Sequence, residues 1–114
     1  MSSMPDDDRI RMQHMLDAAR EAVAFARGRT RADLDADRLL VLGLLKSIEI
    51  VGEAAARIKR RTRAAYPQVP WLDLIGLRNR LMHVYFDVDL DRVWDTVTGD
   101  LPPLILELQN ILGP

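Results

Sequence analysis

Leu39-Leu40-Val41-Leu42-Gly43-Leu44-Leu45-Lys46-Ser47-Ile48-Glu49-Ile50-Val51-Gly52-Glu53-Ala54-Ala55 reads as a helix with two apolar sides. Leu40, Leu44, Ile48, Val51 and Ala55 recur at steps of three and four, with Ile58 extending the row, so they share one helical face. Leu39, Leu42 and Leu45 add a second side. A helix over residues 36–63 is therefore expected, roughly 40 Å long at 1.5 Å per residue, and either central or carrying a subunit interface. Gly43 and Gly52 each lower helix propensity by about 1 kcal/mol relative to Ala, which close packing against another helix can offset.

Upstream, Asp6, Asp7 and Asp8 suit the positive end of a helix. Met12, Met15, Leu16, Ala19, Ala22, Val23 and Ala26 then repeat at helical spacing until Gly28 offers a stop. Downstream, Tyr66-Pro67-Gln68-Val69-Pro70 is a turn, and Pro70 opens a third helix over residues 71–83. Asp87 is the expected N-cap of a last helix carrying Leu90, Val93, Trp94, Val97, Leu101, Leu104, Leu108 and Ile111. That phase runs through Pro102 and Pro103, which predicts a kink or two abutting helices. The expected fold is all-α, an up-and-down bundle of four to five helices forming one domain over residues 1–114.

Composition narrows the chemistry. The 114 residues are 48% hydrophobic and 5% aromatic, in keeping with helices packed through aliphatic side chains. Without cysteine, disulfides, thiolate metal sites and cysteine nucleophiles are excluded. A formal net charge of −1 argues against a generally basic nucleic-acid binder, so any phosphate recognition must be local. The acidic start lacks the pattern of a secretory signal, and no apolar run approaches the roughly 20 residues that span a bilayer. A cytoplasmic protein without a membrane association is expected.

The chemical interest concentrates in Arg78-Asn79-Arg80-Leu81-Met82-His83-Val84-Tyr85. On a regular helix Arg78 lies among Leu74, Ile75, Leu81 and Met82, so an anionic partner is expected to meet it, either a carboxylate or a ligand phosphate. Glu49 and Glu53, four residues apart, are the candidate internal ion-pair partners; without a matching cluster of ligands they make a thin metal site, and no metal or cofactor is expected. Arg78 and His83 project roughly 140° apart on one straight helix, while Asn79 and Arg80 share the face of His83. Convergence of Arg78 and His83 on one atom needs the helix to end near His83, or a second copy across a two-fold axis. His14, beside Arg11 and Asp17, reads as solvent-facing. The run Lys59, Arg60, Arg61, Arg63 reads first as a solvated helix end and second as a track for RNA phosphates.

Arg78, His83 and Tyr85 in the pattern Arg-x4-His-x-Tyr, followed by Phe86-Asp87-Val88-Asp89-Leu90 and preceded by Ile50-Val51-Gly52-Glu53-Ala54, resemble the HepT-like toxins of the HEPN superfamily of small helical ribonucleases. The resemblance runs from about Met12 to Leu112. It implies a HEPN-like homodimer whose two motifs line a shared cleft and cut RNA without a metal. Arg78 and His83 would be catalytic, with Asn79 and Arg80 as phosphate-contacting or orienting residues. It further implies a toxin–antitoxin pair in which a minimal nucleotidyltransferase antitoxin neutralises the toxin by attaching AMP to Tyr85. The competing expectation is a non-catalytic helical dimer that docks a nucleotidyltransferase.

Overall fold

A computed structural model describes residues 4–81 and 87–113. The chain forms α1 (Asp6–Ala26), α2 (Asp33–Ala36), α3 (Arg38–Arg57), α4 (Arg60–Ala65), α5 (Trp71–Ile75), α6 (Leu77–Leu81), α7 (Leu90–Asp95), a π-helical turn (Thr96–Asp100) and α8 (Leu101–Leu112). The all-α expectation holds. The long helices α1, α3 and α8 form the frame, and α5 and α6 lie against α3.

Side-chain pairs fix how α1 and α3 run. Phe25 covers Gly43, where an added Cβ would sit 3.4 Å from the ring, and Glu21 accepts a hydrogen bond from Ser47 at 3.1 Å. At the other end the Asp8 carboxylate accepts from the Lys59 amide at 3.2 Å. Rising numbers on one helix meet falling numbers on the other, so the pair is antiparallel. Helix α8 is antiparallel to α1 as well, because the Arg9 guanidinium donates to the Leu112 carbonyl, an acceptor that α8 leaves unpaired at its end. Between these helices Met12, Met15, Ala19 and Ala22 meet Leu44, Ile48, Val51, Leu101 and Leu108 in one buried cluster. Each fully buried large aliphatic side chain contributes about 1.5–3 kcal/mol relative to exposure.

The expected 36–63 helix is interrupted twice. Asp37 leaves helical geometry and accepts from the Leu40 amide at 3.0 Å, capping α3 and cutting off α2. At the far end Ile58 turns extended, with ψ 134°, and is 1% exposed. The bend is held from α1. Asp8, with 0% exposure, accepts from both the Lys59 amide and the Thr62 hydroxyl, the latter at 2.6 Å, so a carboxylate from another helix caps α4. The first-turn aspartates were expected only to complement their own helix dipole; Asp8 faces inward instead.

The expected third helix is also divided, at Gly76, into α5 and α6. Gly52 explains why α5 packs so closely on α3: a Cβ there would sit 2.8 Å from the Leu74 carbonyl oxygen. The last helix starts two residues later than expected. Asp89, not Asp87, is the N-cap, its side chain accepting from the Arg92 amide at 3.0 Å. Ahead of the prolines the helix widens rather than breaks. Pro102 and Pro103 have no amide hydrogen for the carbonyls four residues back, and the Leu101 amide reaches Thr96, five residues back. The Thr96 and Thr98 hydroxyls donate to the Arg92 and Trp94 carbonyls, each at 2.8 Å, loosening the same turn. Trp94 is half-buried against the core as expected, while Phe86 lies outside the described residues.

Candidate functional site

The five-residue helix α6 carries the described half of the motif. Leu77 and Leu81, at 6% and 1% exposure, anchor it in the core, and this leaves Arg78, Asn79 and Arg80 on the outside. Arg78 is exposed, so the desolvation argument for a buried partner does not apply to it in the single chain. Neither Glu49, which is half-buried, nor Glu53, which is exposed, forms an ion pair with it among the described residues. His83 and Tyr85 lie outside the described residues, as do Met82, Val84 and Phe86.

Arg80 is engaged elsewhere. Its guanidinium folds back over Gly76, coming 3.8 Å from where a Cβ would be, and meets Asp73 at 3.1 Å. The surface left bare by Gly76 is thus covered by the neighbouring arginine, and the ion pair straps α5 to α6 across the glycine. Both partners are exposed, so the strap is weak, about 0–1 kcal/mol.

The chain on either side of residues 82–86 is tied to itself. The Asp89 amide donates to the Leu81 carbonyl at 2.7 Å, which brings the end of α6 and the start of α7 together. Arg31 then joins the α1–α2 connection to Asp91 at 2.6 Å while meeting Asp35 at 3.2 Å. Beside it Arg29 bridges Asp37 at 2.6 Å and Asp33 at 3.4 Å. The hydrogen bond from Arg29 holds the Asp37 carboxyl below the usual carboxylate range, and the Thr30 amide does the same for Asp33. Sequence reading missed this arrangement. Arg31 and Asp91 are 60 residues apart and no local spacing links them.

His14 is exposed, as expected. Among the described residues no group of three or more His, Cys, Asp or Glu is placed to hold a metal ion, and no helix is long and apolar enough to cross a membrane.

Residues 15–111 match a family described as ribonuclease HepT-like, a span that contains the whole Arg78 to Tyr85 motif. The chain belongs to the HepT-like ribonuclease family. Among curated relatives of this HepT-like chain is a protein of Caldanaerobacter subterraneus, provisionally named an RNase, 29% identical over 101 residues, or 89% of this chain and 90% of that one. Another, from Methanocaldococcus jannaschii and likewise provisionally named an RNase, is 29% identical over 97 residues, 85% of this chain and 89% of that one. A Thermococcus cleftensis protein provisionally named ribonuclease HepT is 33% identical over 72 residues, 63% of this chain and 66% of that one. No solved structure matches the chain.

Proposed function

We propose that this HepT-like chain is the toxin of a toxin–antitoxin pair and cleaves RNA by transesterification at Arg78 and His83. The family match across the motif carries this reading. The exposure of Arg78 and Asn79 on a helix anchored by two buried leucines supports it, since a phosphate clamp must be both accessible and held.

The reaction draws on ordinary side-chain chemistry. One imidazole takes the proton of a ribose 2′-hydroxyl. The 2′-oxygen attacks the adjacent phosphorus, the bond to the 5′-oxygen breaks, and an acid returns a proton to the leaving oxygen. The products are a 2′,3′-cyclic phosphate and a 5′-hydroxyl. The Arg78 guanidinium stabilises the charge developing on the phosphate oxygens, with Asn79 orienting the strand. One motif histidine per chain leaves either the acid or the base unfilled, and a two-fold dimer supplies the second His83. AMP attached to Tyr85 by a nucleotidyltransferase antitoxin would bring phosphate charge and bulk beside this cleft and block it.

The ion pair that occupies Arg80, together with the near-neutral net charge, favours one alternative: a helical dimer that docks a nucleotidyltransferase without cutting RNA. Cleavage assays on purified dimer separate the two. His83→Ala and Arg78→Ala should each lower cleavage by roughly 10²–10³-fold or more with folding and dimerisation intact. Equal activity in wild type and both variants would leave the docking reading standing alone. Intact-mass measurement after co-expression with the antitoxin should show added AMP that Tyr85→Phe abolishes.

A further inference from the structure

Residues 54–72 contain Arg57, Lys59, Arg60, Arg61 and Arg63 and no Asp or Glu, in a chain of net charge −1. Among the described residues none of these five cations is in an ion pair. Four are exposed and Arg63 is half-buried, its Nε enclosed without a hydrogen-bond partner. A solvated helix end would explain the exposed charges but not the covered Nε.

An apolar hollow lies against this charge. It measures about 520 Å³ and is lined by Arg60, Arg63, Ala64, Pro67, Trp71 and Leu72. Leu72 is 79% exposed, at the start of a helix whose other apolar residues are buried or half-buried. The walls are fixed: the Trp71 indole donates to the Tyr66 carbonyl at 3.0 Å, and buried Asp8 holds Lys59 and Thr62 at the base of α4.

We propose that this corner is a second RNA-binding site, separate from Arg78 and His83, where bases of a single strand rest on the exposed Pro67 and Leu72, above the buried Trp71 that floors the corner, while Arg60 and Arg63 take the flanking phosphates. An apolar platform bordered by planar guanidinium groups suits unstacked nucleotides, because bases stack on apolar and guanidinium faces while the backbone meets the charge. Leu72 precedes Arg78 by only six residues, on the adjoining short helix, so a strand seated here can run on to the motif within a few nucleotides. The site rests on the ribonuclease reading only for the choice of RNA as the polyanion.

The test uses a fluorescein-labelled 12-nucleotide 2′-O-methyl oligouridine, which lacks the attacking hydroxyl, and follows binding to the full chain by anisotropy over a range of salt. Arg60→Gln/Arg63→Gln should weaken binding about 10-fold or more and make the log–log salt slope shallower by about 1.4, for two phosphate contacts at roughly 0.7 each on a single strand. Leu72→Ala should weaken binding about 5-fold with the slope unchanged, and Arg60→Lys/Arg63→Lys should keep the slope. An unchanged slope in the glutamine variant overturns the proposal. So does an abasic oligomer that binds as tightly as oligouridine, or oligoglutamate that competes as well as RNA. If wild type shows no His83-dependent cleavage yet the slope falls as stated, the second site stands and the ribonuclease reading fails.

Discussion

Replacing Asp8 by alanine should cost more stability than any substitution on the exposed face of α1. Its carboxylate is fully enclosed and accepts from the Lys59 amide and the Thr62 hydroxyl, with Arg11 at 4.0 Å. The Thr62 hydroxyl left without an acceptor in a buried place costs about 1–3 kcal/mol, and loss of the part-buried hydrogen bond from the Lys59 amide adds about 1 kcal/mol. A total of about 2–4 kcal/mol is a large share of the ~5–15 kcal/mol that holds a domain of this size together. In urea the midpoint should fall with little change in slope, and Tm should drop by roughly 10–15 °C. Asp8→Asn should cost less, because its carbonyl can still accept from Lys59 while its amide donates to the Thr62 oxygen. Thr62→Val removes the donor that Asp8→Ala would leave unpaired, so the double variant should be less destabilised than the two singles combined by about 1 kcal/mol. Strict additivity, or a loss below about 0.5 kcal/mol in Asp8→Ala, would refute the account of this residue as the cap of α4.

Two glycines should respond in opposite directions to the same substitution. Gly52→Ala should destabilise by about 1–3 kcal/mol despite a better helix former, since its methyl would press on the Leu74 carbonyl at 2.8 Å; Gly99→Ala, which meets nothing within 4 Å, should leave thermal stability unchanged or raise it by up to about 1 kcal/mol. Acid should loosen the α1–α3 connection first. The Asp33 and Asp37 carboxyls have lowered pKa values in the folded chain, so their contribution is present above the unfolded carboxylate range near pH 4 and is lost as pH falls through the lower folded values. Amide exchange at Thr30 and Leu40, whose N–H groups donate to those two carboxylates, should accelerate across that window before the core of α3 does.

The fold class was legible because burial imposes a period. Leu44, Ile48 and Val51 repeat at helical spacing, and all three are buried where α3 meets α1. The motif was legible for a different reason: Arg78, His83 and Tyr85 sit within eight consecutive residues, so their types and spacing can be read without the fold. Helix ends were harder, and each failure has a local cause. Asp87 and Asp89 are equivalent caps by composition, and the backbone turn that selects Asp89 is set by its bond back to Leu81. The prolines announced an irregularity, but that it takes the form of a π turn depends on the Leu101 amide finding Thr96.

The sequence by itself determined that the chain is helical, which faces are apolar, and which short run carries the family's chemistry, because period and spacing are properties of neighbours along the chain. Tertiary structure alone decided which charges are free. Asp8 is buried at a helix base 51 residues away, Arg31 is tied to Asp91, Arg80 is turned toward Asp73 across Gly76, and Arg78 is left exposed beside it. Whether an arginine or an aspartate finds a partner depends on what the packing of distant helices brings within about 3 Å, and nothing in the local sequence encodes that distance.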